Sequence, residues 1–125
     1  MFQFLTQHQL FFLMVAVVLA TAGCAMHYTA HPGALNTVDS AAYDALLVAQ
    51  ATIDEARMDL KSGQLPTGAK PALDALVESY NIARASWLTY RGAVSTKVSP
   101  AEYLTQLTRN LTDLETAIRD LERAK

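Results

Sequence analysis

The cysteine and the histidines of this chain, which are the residue types best suited to bind zinc or copper, are few and lie near its N-terminus. It has a single cysteine, Cys24, and two of its three histidines, His27 and His31, follow at a spacing of four residues. Residues four apart share one face of a helix, where two neutral imidazoles could begin a zinc or copper site. Pro32 and Gly33 disfavour a helix here, and no third ligand is close in sequence. We therefore expect two solvated histidines and no cofactor, with a metal site at His27 and His31 as the alternative.

The remaining polar residues form no pattern typical of an enzyme. Asp54, Glu55 and Asp59 are close in sequence. Di-iron helical bundles pair such a glutamate with a histidine three residues later, and that position holds Met58. The sequence has no glycine-rich phosphate loop and no nucleophile motif. We expect a solvated acidic surface and a protein that is not an enzyme.

An uncharged apolar segment directly precedes Cys24. It runs from Leu10 to Ala20, and Thr21-Ala22-Gly23 separates it from the cysteine. An apolar segment of this length followed by small residues is typical of a secretory signal peptide, whereas a membrane-spanning helix needs about 20 apolar residues. The pattern resembles the signal peptide of bacterial lipoproteins over residues 10–25. The resemblance implies that residues 1–23 are removed and that Cys24 becomes the first residue.

The same resemblance implies a membrane anchor. Cys24 would carry a diacylglycerol and an acylated amino group, and two or more acyl chains give stable anchoring. Ala25 stands where lipoproteins of the inner membrane commonly have aspartate, so the implied location is the periplasmic face of the outer membrane. Residues 24–37 contain Pro32-Gly33 and no helical period, and we expect them to form a flexible tether.

The charged side chains are mixed along the chain after this tether. Twelve Asp and Glu residues accompany ten Lys and Arg residues. Nucleic acids and anionic membrane surfaces both attract proteins with a basic excess. The near balance of charge predicts no nucleic-acid partner and argues against an anionic membrane surface as the main partner.

Three segments with helical periodicity follow, at approximately 38–62, 69–92 and 100–124. In each, apolar residues recur at alternating spacings of three and four, which defines a seam along one helix face. The seams are Ala42, Leu46, Ala49, Ile53, Ala56 and Leu60; then Ala69, Leu73, Leu76, Tyr80, Ala83, Trp87 and Tyr90; then Leu104, Leu107, Leu111, Leu114, Ile118 and Leu121. Three amphipathic helices with short connections predict an all-α, antiparallel up-down-up three-helix bundle over 38–125.

Local signals mark the ends of these helices. Gly63 is expected to end the first helix and Gly92 the second, because glycine suits the position after a helix C-terminus. Ser99 and Glu102 enclose a capping box with Pro100 as the first helical residue of the third helix. Glu115 and Arg119 are spaced for an exposed ion pair.

Three surfaces of the bundle are candidates for binding. Trp87 lies with Tyr80 and Tyr90 on the second seam, which favours core packing, with a shallow pocket near Trp87 as the alternative. A strip of the third helix, about 100° from its leucine seam, is either a half-buried boundary or a docking face. Its residues are Thr105, Thr108, Thr112 and Thr116. A second stripe on the first helix faces either a neighbouring helix or another copy of the chain. It consists of Tyr43, Leu47, Ala51 and Met58.

Two hypotheses for function follow from these features. The first is a small, non-enzymatic envelope lipoprotein, tethered to the membrane through Cys24 and acting as a structural or interaction module on an envelope protein or cell-wall partner. The second is a periplasmic module that handles a ligand or metal through His27 and His31, or through a pocket near Trp87.

Overall fold

A computed structural model describes residues 31–125, most of which lie in three helices. Helix α1 spans Thr37–Lys61, α2 spans Lys70–Ser95 and α3 spans Ala101–Ala124, and a 3-10 turn at Thr67–Ala69 leads into α2. The described residues contain no strand. The predicted all-α, antiparallel three-helix bundle is confirmed. Each helix boundary lies within one residue of its predicted position, except the C-terminus of α2.

The core contains alanines on α1, together with Leu46 and Ile53, and mostly large residues on α2 and α3. Ala42, Ala49 and Ala56 are fully buried along α1. Opposite them lie the large buried residues Leu73, Leu76, Trp87, Leu107, Leu114 and Leu121. Alanines facing leucines let helices approach closely while the core stays filled. The contact of α2 with α3 is the most extensive in the bundle, and that of α1 with α3 is the smallest.

Most residues of the predicted seams are buried, and a few are exposed or only partly buried. Leu60 is exposed in the last turn of α1, while Leu65 in the following loop enters the core instead. Leu111 and Ile118 are only partly buried, because the contact of α1 with α3 is small. Along the described chain, no helix combines the length and the apolar character that a membrane span requires.

Helix α1 ends at Lys61, and Gly63 follows its C-cap residue Ser62 and terminates the helix, as the sequence predicts. The Gly63 amide donates to the Leu60 carbonyl at 3.3 Å, and the Gln64 amide donates to the Asp59 carbonyl at 2.8 Å. This pair of bonds is a Schellman motif, which places its central residue in the left-handed region. Gly63 has φ 77°. A side chain would fit the space but would strain this backbone.

The prediction that Gly92 ends α2 is wrong. The helix continues to Ser95, because Ala93 is buried and Val94 packs against the core. Burying two more apolar side chains outweighs the cost of about 1 kcal/mol for one glycine within a helix.

Lys97 occupies the position that Gly92 was expected to fill. Its amide donates to the Val94 carbonyl at 3.3 Å, and the Val98 amide donates to the Ala93 carbonyl at 3.0 Å. These two bonds form a second Schellman motif. Lys97 has φ 57°, a left-handed conformation that a lysine adopts only with strain.

The start of α3 differs in detail from the predicted capping box. Pro100 has helical dihedral angles, and its carbonyl accepts a bond of 2.7 Å from the Leu104 amide. In the described structure no side chain caps the N-terminus of this helix. The predicted ion pair between Glu115 and Arg119 is present.

The two glycines give opposite predictions for stability. Gly63→Ala should lower the free energy of unfolding by about 1 kcal/mol, because alanine must take the left-handed conformation. Gly92→Ala should raise it by about 0.5 to 1 kcal/mol, because alanine is favoured within a helix. Urea denaturation measures both changes. Destabilisation by Gly92→Ala would mean that α2 does not continue past this residue in solution.

Candidate functional site

A buried carboxylate, Asp39, lies where α1 meets the last turns of α2. It has no exposed surface. Its Oδ1 accepts a hydrogen bond of 2.6 Å from the Trp87 indole N–H. Its Oδ2 accepts one of 2.8 Å from the Leu35 amide, and the Arg91 Nε lies 3.8 Å from Oδ1. A carboxylate enclosed by donors in this way joins segments of the chain, and it has no free oxygen to offer a substrate.

The start of α1 positions this carboxylate. Asn36 is the N-cap of α1, and its Oδ1 accepts a bond of 2.8 Å from the Asp39 amide. The Asn36 Nδ2 also donates to the Tyr90 hydroxyl at 3.0 Å. The Arg91 guanidinium lies 5.1 Å from the centre of the Trp87 ring, within range of a cation–π interaction. Asn36, Asp39, Trp87, Tyr90 and Arg91 are referred to below as the Asp39 cluster.

Residues 31–36, which we call the strap, lie before α1 and are hydrogen-bonded to the bundle. Pro32 and Gly33 form a turn closed by a bond of 3.2 Å from the Ala34 amide to the His31 carbonyl, with Gly33 at φ 84°. A turn of this kind favours proline followed by glycine. The His31 amide donates to Ser40 Oγ at 3.2 Å, and Arg91 donates to the Gly33 carbonyl at 3.4 Å. The strap has no helix, as predicted, and it is bonded to both α1 and α2.

His31 is the one predicted metal-ligand residue that lies in the described range. Its ring packs against Tyr43, with centroids 4.1 Å apart, and its Nδ1 lies 3.0 Å from the Pro32 carbonyl oxygen. Its Nε2 is buried and has no hydrogen-bond partner. Among residues 31–125 no group of three or more His, Cys, Asp or Glu side chains could hold a metal ion. Cys24 and His27 lie outside the described residues, so their predicted roles stay predictions.

Trp87 is largely buried, with its indole N–H bonded to Asp39. A cleft of about 250 Å³ between α1 and α2 lies beside it. The lining residues are Tyr43, Leu46, Leu47, Gln50, Tyr80, Arg84 and Trp87. The Tyr80 hydroxyl donates to Gln50 Oε1 at 3.2 Å across this cleft. This cleft lies where the shallow pocket near Trp87 was predicted. Binding of a ligand in it stays a prediction.

All four threonines of the predicted strip on α3 are exposed. The hydroxyls of Thr105, Thr112 and Thr116 each donate to the carbonyl four residues earlier, at 2.9 to 3.1 Å. Because these hydroxyls are bonded within the helix, the strip is less polar than its composition suggests. Thr108 and Thr112 also line an apolar groove of about 370 Å³ between α1 and α3, together with Val48, Leu111 and Ile118. Leu47 and Met58 of the second stripe on α1 are exposed as well.

Sequence reasoning missed two buried polar residues that continue the apolar seams. Asp39 lies three residues before Ala42 on the α1 seam, and Asn110 lies three after Leu107 on the α3 seam. Asn110 donates to the hydroxyl of Ser86 on α2. A polar residue in register with an apolar seam indicates a buried hydrogen bond, because buried polar groups nearly always have a hydrogen-bond partner. The partners themselves belong to another helix, and the spacing of residues in one helix does not reveal them.

Removing the buried carboxylate tests the Asp39 cluster. Asp39→Ala should lower the free energy of unfolding by about 2 to 4 kcal/mol, because the Trp87 and Leu35 N–H groups lose their acceptor. Asp54→Ala, an exposed site on the same helix, is the control and should change stability by less than about 0.5 kcal/mol. Denaturation followed by Trp87 fluorescence measures both, since Trp87 is the only tryptophan. Equal effects of the two variants would contradict a joining role for Asp39.

Comparison with known proteins yields no relative of this chain. No protein-family model, no curated protein and no solved structure matches it.

Proposed function

We propose that this chain is a small, non-enzymatic lipoprotein of the bacterial cell envelope. The observation that carries the proposal is the position of Cys24, directly after an apolar segment of signal-peptide length and a run of small residues. Lipidation of Cys24 would hold the protein at a membrane, and Ala25 favours the periplasmic face of the outer membrane. The helical bundle is then the part that acts beyond the membrane surface.

The described residues support a structural or interaction role for the bundle. The buried polar groups join helices to one another: Asp39 bonds Trp87, and Asn110 bonds Ser86. The bundle also carries exposed apolar surface, at the groove between α1 and α3 that includes Val48, Leu111 and Thr112. Exposed apolar grooves of this kind suit protein partners. The partner that we propose is an envelope protein or a cell-wall component. The envelope protein can also be a second copy of this chain.

The lipid anchor is tested by measuring the intact mass of the protein recovered from membranes of its own host. The expected mass is that of residues 24–125 with a diacylglycerol and an amide-linked acyl chain. Cys24→Ala is the control and should lose both the acyl mass and the cleavage before residue 24. A wild-type mass that retains residues 1–23 would contradict the proposal and leave the apolar segment as the anchor.

A second candidate function is metal handling, and one observation favours it. The His31 Nε2 is buried without a hydrogen-bond partner, and an unpaired imidazole nitrogen is a typical ligand for zinc or copper. Two imidazoles, from His27 and His31, would supply half of a tetrahedral zinc site, so this candidate needs ligands from elsewhere.

Calorimetric titration with Zn²⁺ separates the two functions. For a structural or interaction module we expect no saturable binding by the mature protein. Binding of one ion per chain that is lost in both His27→Ala and His31→Ala would favour metal handling. Gln64→Ala, an exposed site in the loop between α1 and α2, is the control and should leave the titration unchanged.

A further inference from the structure

The two ends of the bundle differ in charge, although the whole chain is nearly neutral. Because α1 and α3 run parallel and α2 runs opposite, one end holds the start of α1, the end of α2 and the start of α3. We call this the strap end, because the strap joins α1 there. A cut through the middle of each helix assigns residues 31–49 and 83–112 to the half that contains the strap end, and residues 50–82 and 113–125 to the other half.

The strap-end half has few charges and a slight positive excess. Its three acidic residues are Asp39, Asp44 and Glu102, and its four basic residues are Arg84, Arg91, Lys97 and Arg109, a net charge of +1. Asp39 and Arg91 form an ion pair whose charges largely cancel, and the remaining charges keep the same excess of +1. The other half has nine acidic and six basic residues, a net charge of −3. The net charge of −2 for the whole chain conceals this asymmetry.

Apolar side chains are exposed at the strap end. Leu35 of the strap is 42% exposed, and Val98, in the loop between α2 and α3, is 52% exposed. Val38 in the first turn of α1 and Tyr103 in the first turn of α3 are also exposed. Apolar and aromatic side chains next to a lysine are the residue types that bind the headgroup region of a bilayer.

Lys97 lies in the same loop as Val98 and is held in a left-handed conformation. Glycine at this position would relieve the strain, so the fold alone gives no reason for a lysine here. Strained residues of this kind occur where a side chain serves a purpose beyond folding. Lys97 places a positive charge next to the exposed Val98, and this charge would serve such a purpose if the strap end binds anionic headgroups.

Only a short length of chain separates the strap from the proposed lipid anchor. Only seven peptide units separate Cys24 from His31, and they span at most about 25 Å when fully extended. From His31 onward the strap is bonded to α1 and α2 through Ser40, Asp39 and Arg91. The strap therefore does not add to the length of chain that separates the proposed anchor from the bundle. A short tether gives an effective concentration in the millimolar range, so even weak affinity for the bilayer would keep the end docked.

We infer that the strap end of the bundle docks on the membrane surface, with Leu35, Lys97 and Val98 at the lipid headgroups and the acidic end directed away. The inference rests on the proposed lipid anchor at Cys24. Docking end-on would hold the helices upright on the membrane. The groove between α1 and α3 would then stay accessible from the side, and the end most distant from the membrane would lie about 36 Å above it, since 24 helical residues rise 1.5 Å each.

Fluorescence quenching in vesicles tests the docking. Lipidated Val98→Cys and Gln64→Cys proteins are purified from host membranes, labelled with a polarity-sensitive dye and reconstituted into vesicles of phosphatidylethanolamine and phosphatidylglycerol. Gln64 is exposed in the loop between α1 and α2, at the opposite end. Nitroxide-labelled lipids should quench the dye at position 98 and shift its emission to shorter wavelength, and should leave position 64 unaffected. Leu35→Cys is a second labelling site at the strap end and should behave like position 98.

Two outcomes would overturn the inference. Absence of quenching at positions 98 and 35 would show that the bundle stands away from the membrane, and equal quenching at 98 and 64 would show that it lies flat. The unaltered lipidated protein controls for the anchor, because its Cys24 sulfur takes up dye only if it carries no lipid. Labelling of the unaltered protein would therefore mark a failure of the proposed anchor, which is distinct from a failure of docking.

Discussion

The hydrogen bond from the Trp87 indole to the buried Asp39 carboxylate is the interaction on which the strap end depends. It crosses from α2 to α1, and the same carboxylate also accepts the Leu35 amide and faces Arg91. A buried carboxylate is costly unless its oxygens are bonded, so the cost is met only when α1, α2 and the strap are all in place. Misplacing any one of the three leaves a buried polar group without a partner. The Asp39 cluster thus favours a single arrangement of α1, α2 and the strap. Apolar packing alone would specify this arrangement less well.

The remainder of the core follows a simpler rule, which the sequence reveals well. The spacing of Leu107, Leu114 and Leu121 predicts which face of α3 is buried, and the structure buries all three. The same holds for Leu73 and Leu76 on α2. Apolar periodicity is reliable here because each helix must bury one face, whatever its neighbour is. The three-helix architecture was therefore predictable from the residues of each helix alone.

The positions that sequence reasoning missed depend on partners distant along the chain. Gly92 is a common C-terminal residue of helices, yet it lies within α2 because Ala93 and Val94 find apolar neighbours in the folded bundle. Lys97 takes the left-handed position that follows, against its local preference. Local preferences of about 1 kcal/mol decide a helix end only where tertiary packing does not compete. Asp39 is in register with the α1 seam, which is a signal of burial, but its partner Trp87 lies 48 residues away and is visible only in the fold.

The strap also changes how the sequence before the bundle is interpreted. Composition alone predicts that residues 24–37 form a flexible tether, and Pro32-Gly33 fits that expectation as well as it fits a turn. In the fold the turn directs the chain back onto α1 and α2, where the amides of His31 and Leu35 find side-chain acceptors. The first contacts between the described chain and the bundle are therefore made by the buried carboxylate and by Ser40, two residues within α1. In a protein anchored at Cys24, a polar contact in the first turn of a helix would thus fix how far the whole bundle can move from the membrane.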